Sequence, residues 1–214
     1  MREIDLDTWP RRHHFAWFDG FEDPRFHLGA RVRLGPLRAA CRRDGRSVAL
    51  TLVWLVTAAA NAVPELRQRV RDGRIVEHDV VHPSFTVMGP GELFTGCLVD
   101  FDPDVDRFIA AAKPAVQAAS TRGGLTMTPD ADDARLFVTS LPWVDVTSMV
   151  HPRRGDASDG IPTIGWGRLV ADGDDDTTNL IVTAHHGLAD GLHVARFVQA
   201  FEQGARALVG GSVD

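Results

Sequence analysis

The chain has 214 residues and a mass of 23.4 kDa, the size of one large domain or two small ones. Hydrophobic residues make up 44% and charged residues 24% of it, which excludes a disordered or collagen-like polymer. The formal charge of −6 argues against a protein built around the phosphate backbone of a nucleic acid. Its two cysteines, Cys41 and Cys97, form neither a CxxC unit nor a zinc-like cluster, so they read as reduced residues of a cytoplasmic protein. Cys41, in a basic stretch, is expected to be exposed and open to reaction. Residues 1–7 hold no apolar core of a signal peptide, and Thr51, Thr57 and Asn61 interrupt the run from Val48 to Val63, so no transmembrane helix is expected.

Taken in chain order, His27 to Leu34 alternates as a strand and ends at Gly35-Pro36. Leu37 to Arg43 predicts a short polar helix, and Ser47 caps a buried helix that stops before Pro64. Arg74–His78, Ser84–Met88 and Leu93–Phe101 are expected strands. Asp102-Pro103 predicts a helix start, and the helix runs towards Ser120 with a kink or restart at Pro114. Asp130, Asp132 and Asp133 mark a solvated turn, Leu136 to Val146 an extended segment, and residues 151–160 a loop. Gly173 among Asp172, Asp174, Asp175 and Asp176 predicts a solvent-facing hairpin. Leu180–Ala184 follows as a strand and Leu192–Val209 as a helix. No linker divides these elements, so one domain spanning 1–214 is expected, a mixed α/β sandwich.

The segment of most chemical interest is Thr183-Ala184-His185-His186-Gly187-Leu188-Ala189-Asp190-Gly191, which joins a strand to a helix. A histidine there is placed to act as a general base, because imidazole titrates near neutrality. Asp190 can accept hydrogen bonds that fix the turn, and Gly191 relieves steric limits. The alternative is one core histidine and one surface histidine at a strand end. No HExxH, P-loop, GxGxxG or GxSxG occurs.

HHGLADG followed by LHVARF resembles the active-site signature of the chloramphenicol acetyltransferase family, HHxxxDG entering a long helix. Four further stretches, WPRRHHF, NAVPELR, VVHPSFTV and FVTSLPWV, resemble the small trimeric branch in order and spacing. The resemblance covers nearly the whole chain. It implies an α/β two-layer sandwich with a mixed sheet, and a homotrimer with active sites at subunit interfaces. It also implies acetyl-CoA as co-substrate and a small-molecule acceptor, most simply chloramphenicol.

The resemblance implies His186 as the base, Asp190 as a structural carboxylate paired with Arg11, and His185 as a packing neighbour. Thr139 stands where the family usually has the serine that donates to the oxyanion, with Ser140 in reserve. Phe18, Phe26, Phe94 and Phe137 are expected to line an acceptor pocket, although each can equally be core. The chain departs from the family in two further places. Gly165 stands where a threonine commonly holds a water, and no tyrosine occurs, leaving Phe18 near the position of an aromatic hydroxyl. Two other readings remain: acylation of a hydroxyl or amine of a different metabolite, and a non-catalytic trimer that binds a ligand or acyl carrier.

Overall fold

The computed structural model describes residues 1–127, 133–152 and 160–210. In chain order the elements are β1 (Arg2–Glu3), α1 (Arg12–Phe18), β2 (Arg25–Arg33), α2 (Leu37–Arg43), α3 (Val48–Asn61), β3 (Gln68–Arg71), β4 (Arg74–Glu77), β5 (His82–Met88), β6 (Phe94–Leu98), α4 (Val105–Thr121), β7 (Arg135–Ser140), β8 (Thr163–Trp166), β9 (Val170–Asp172), β10 (Asp175–His185) and α5 (Gly191–Gly210). The main sheet runs β2-β10-β8-β7-β5-β6, with β9 beside β10, and a small sheet runs β1-β4-β3. The main sheet is mixed: β5–β7 and β7–β8 pair parallel, the other pairs antiparallel.

Alternation along the strands sets the layers. Leu136 and Val138 of β7, Ile164 and Trp166 of β8, and Leu180, Val182 and Ala184 of β10 point to one face. There they share a core with α2, α3, α4 and α5. Residues of opposite parity, among them Thr139, Gly165, Ile181 and Thr183, point to the other face, away from the helices that build the core. This is a two-layer α/β sandwich. A strap after β7 crosses part of that second face: Asn179 Nδ2 donates to Asp145 Oδ1 at 3.0 Å and to Val146 O at 2.9 Å.

The strap corrects the expected extended segment to Val146. β7 ends at Ser140, Val144 N closes a turn on Leu141 O at 3.3 Å, and Pro142 has no N–H to continue a ladder. The final strand is longer than its apolar stretch suggests. Asp176 is buried and accepts from Arg38, so this part of the acidic cluster faces the protein rather than solvent. The turn itself falls at Gly173, in the left-handed region at φ 63°.

The cap of α4 is Asp104, accepting from the N–H groups of Asp106 and Arg107 at 3.0 and 2.9 Å. Asp102 instead accepts from Asp104 N and binds Arg107. The helix continues through Pro114 without restarting. Pro114 and Ala110, whose carbonyl loses its helical partner, are both exposed, so the break in the ladder falls on the solvent side. Asp133 is not a solvated turn residue: Arg71 and His78 bind it. The turn residues Asp130 and Asp132, and most of the loop expected over 151–160, lie outside the described residues. Among the described residues no helix is long and apolar enough to cross a membrane.

Cys41 is also corrected. α2 turns Leu37, Ala40 and Cys41 inward, and Cys41 is only 2% exposed. Burial pushes its thiol up, and Cys97 likewise. Native protein treated with Ellman's reagent should therefore show no fast thiol, and two thiols after unfolding. A rapid first thiol at neutral pH would contradict this packing.

Candidate active site

The loop after β10 is built by a tight turn. Leu188 N and Ala189 N both donate to His185 O, at 3.0 and 2.9 Å, while His186 N donates to Pro24 O at 2.7 Å. A Cβ at Gly187 would stand 3.0 Å from the His185 ring and 3.1 Å from Phe15 Cα, so any side chain here presses on both neighbours. Gly191, expected to relieve steric limits, has open space around it. His185 is buried beside Phe15.

Arg11, just ahead of α1, ties the loop together. Its Nη1 donates to Asp190 Oδ2 at 2.7 Å, its Nε to Gly187 O at 3.3 Å and its Nη2 to His186 O at 3.1 Å. Asp190 Oδ1 accepts from Leu192 N at 3.0 Å at the head of α5. Partial burial opposes ionisation of Asp190. The hydrogen bond from Arg11, the field of His193 and the Leu192 N–H outweigh it and hold the pKa at about 2.

The sequence reading missed a further support. His193 Nδ1 accepts from Asp190 N at 3.0 Å and lies 2.9 Å from Asp190 Oδ1, while its Nε2 lies 3.4 Å from Glu65 Oε1, so a buried imidazole sits between two carboxylates. Both residues fall in the LHVARF and NAVPELR stretches, whose chemistry had not been questioned.

The His186 ring is held between aromatics. Phe18 stacks on it at 4.2 Å and 10°, and Phe26 tilts against it at 4.7 Å. Nδ1 of His186 is buried and has no hydrogen-bond partner among the described residues.

Thr139, Phe137 and Phe94 lie elsewhere. Thr139 is level with Gly165, which is level with Ile181, five residues before His186. Five residue rises and two strand spacings separate the Thr139 and His186 backbones by roughly 19 Å. Phe94, 52% exposed, belongs to β6 on the same open face as Thr139. The expected site residues thus form two groups: His186, Arg11, Asp190, Phe18 and Phe26 at the end of β10, and Thr139, Phe137 and Phe94 on β7 and β6. Ser140 alternates to the helix side.

A cavity of about 290 Å³ reaches Thr139 and Ser140 from that helix side, between the head of α3 (Ser47, Ala49) and α4 (Lys113, Gln117). Among the described residues no cluster of side chains suited to a metal ion occurs.

A two-layer sandwich carrying a histidine on an arginine-clamped strand-to-helix loop fits the coenzyme A-dependent acyltransferases that the sequence resembles. The family model described as chloramphenicol acetyltransferase matches residues 1–202, and the chain belongs to that family, whose acyl donor is acetyl-CoA. A chloramphenicol acetyltransferase of Streptomyces acrimycini is 31% identical over 204 residues, covering 93% of this chain and 91% of its own. Chloramphenicol acetyltransferase 2 of Escherichia coli is 27% identical, covering 93% and 94%. A solved chloramphenicol acetyltransferase superposes with a TM-score of 0.85 at 24% identity, over 95% of this chain and 99% of that one. At that identity the likeness speaks for the fold.

The Arg11–Asp190 pair generates a stability prediction. A carboxylate whose folded pKa is about 2, against an ordinary 3.8, contributes stability that is full above 3.8 and is lost as pH falls towards 2. Arg11→Ala or Asp190→Asn should cost about 1–3 kcal/mol, less than a fully buried pair because Asp190 is partly exposed. Calorimetry from pH 7 down to 2 should show wild type converging on Asp190→Asn in acid. Equal melting temperatures at pH 7 would exclude a stabilising pair.

Proposed function

We propose that the chain transfers an acetyl group from acetyl-CoA to a hydroxyl of chloramphenicol, at sites shared between the subunits of a homotrimer. The observation that carries this is the clamped His186 together with its roughly 19 Å separation from Thr139. Both groups suit acyl transfer, yet within one chain they cannot meet one thioester. Met88, Phe94 and Leu98, exposed on the face that bears Thr139, offer apolar surface to a second copy.

In this reading His186 takes the proton from the acceptor hydroxyl, with Nε2 as the working nitrogen because Nδ1 is buried. The acceptor oxygen attacks the thioester carbonyl carbon, and Thr139 of a neighbouring chain donates its hydroxyl hydrogen to the oxyanion. Collapse breaks the carbon–sulfur bond, and the imidazolium returns its proton to the departing thiolate. Arg11 and Asp190 hold the loop and move no proton. Phe18, Phe26, Phe94 and Phe137 supply apolar walls for the acceptor, residues 1–214 act as one domain, and the acetyl-CoA pool makes the cytoplasm the working compartment.

A second reading keeps the chemistry and changes the acceptor to a hydroxyl or amine of another metabolite. Phe18 favours it, since that ring lies flat on His186 and has no hydroxyl to offer an acceptor. A non-catalytic trimer is disfavoured by the intact network around His186.

Thiol release from acetyl-CoA with chloramphenicol and a panel of alcohols and amines tests the proposal. Turnover should appear with chloramphenicol and be nearly abolished in His186→Ala, since proton transfer alone is worth about 10²–10⁴-fold. Thr139→Ala should lower kcat by roughly 10²–10³-fold with little change in either KM. Turnover with another acceptor alone favours the second reading, and wild-type turnover in His186→Ala overturns both. Sedimentation equilibrium should give about 70 kDa, three times the chain mass; a monomer at micromolar protein would contradict the shared site.

A further inference from the structure

Thr139 carries a methyl group as well as a hydroxyl, and the structure shows where each goes. Oγ1 turns towards β5, 3.4 Å from Thr86 Oγ1. Cγ2 turns towards β8, over Gly165, its register partner. A Cβ at Gly165 would stand 3.0 Å from Thr139 Cγ2 and 2.7 Å from Met149 Sδ. The half-buried Met149, carried by the strap, therefore lies over the same bare patch of backbone.

We infer that Gly165 is a positioning residue for the Thr139 hydroxyl: its missing side chain is the space that the Thr139 methyl occupies, with the Met149 thioether closing over both. This rests on the acyltransfer reading and assigns residues 165 and 149 a part in it. A threonine has few χ1 wells. With its methyl excluded from β8, Thr139 leaves this well, and the hydroxyl swings away from its present direction. A serine at 139 lacks the methyl and is indifferent to residue 165. The Met149 contact is of another kind, because a thioether at the end of a flexible chain can move aside.

The test is a cycle of Gly165→Ala in two backgrounds, Thr139 and Thr139→Ser, with kcat, both KM values and melting temperature measured in each. Gly165→Ala should lower kcat roughly tenfold or more relative to wild type with KM unchanged, and less than about twofold relative to Thr139→Ser alone. The melting temperature should fall more in the threonine background too, a readout that requires no turnover. The same cycle built on Met149→Ala removes the thioether contact and should keep the coupling. Equal losses of kcat in both backgrounds, with an active wild type, overturn this inference and leave the acyltransfer reading standing. A wild type without thiol release on any acceptor overturns the acyltransfer reading, and the role of Gly165 with it, even if melting temperatures still register the methyl contact.

Discussion

Register in a hydrogen-bonded sheet leaves little freedom, and here it separates the two groups most suited to chemistry. β10 is paired on both sides, to β2 over its whole described pairing from Thr177 to His185 and to β8 and β9 opposite. A slip of one residue would turn Leu180, Val182 and Ala184 out of the core. β7 is fixed to β8 in the same way, through Leu136 and Val138. Thr139 and His186 cannot approach one another without dismantling this frame. In the proposed reading, the apolar strands that specify the fold are thus also what makes one chain an incomplete site.

Within that frame, the His186 loop depends on a single guanidinium. Arg11 comes from 175 residues away in sequence to reach the His186 carbonyl. It satisfies two carbonyls and one carboxylate with a planar fork that lysine does not possess. Asp190 in turn accepts from the head of α5, so helix, loop and N-terminal segment are tied together. Phe18 and Phe26 pack against the imidazole, and in the proposed reading that packing supplies the preorganisation a general base requires. The His193–Glu65 bridge extends the same support into the chain beneath the loop.

Much of this was legible in the residues. HHGLADG predicted a strand-to-helix loop, Leu192–Val209 the helix that became α5, and Gly173 marked a hairpin. What failed to show was pairing at long range. The burial of Asp176 depends on Arg38 from α2, and the burial of Cys41 depends on which side of a short, arginine-rich helix meets the core. Local charge pointed outward in both cases. The cap of α4 was misplaced because Asp102 and Asp104 are equally good caps locally, and only the backbone after Pro103 decides between them. Thr139 and Gly165 looked like two unrelated departures from a family pattern. Their contact exists only once parallel pairing sets β7 beside β8, and no spacing in the chain announces it.

Division of the site between chains is the claim on which the rest of the account depends, and co-assembly of complementary variants tests it most directly. His186→Ala chains keep Thr139, and Thr139→Ala chains keep His186. In randomly mixed cyclic trimers each site draws its base from one chain and its oxyanion donor from the next, so about a quarter of the sites are intact. Co-expressed variants should therefore recover about a quarter of wild-type turnover, far above either parent alone. Turnover no greater than the mean of the two parents, in trimers shown to contain both chains, would contradict the shared site.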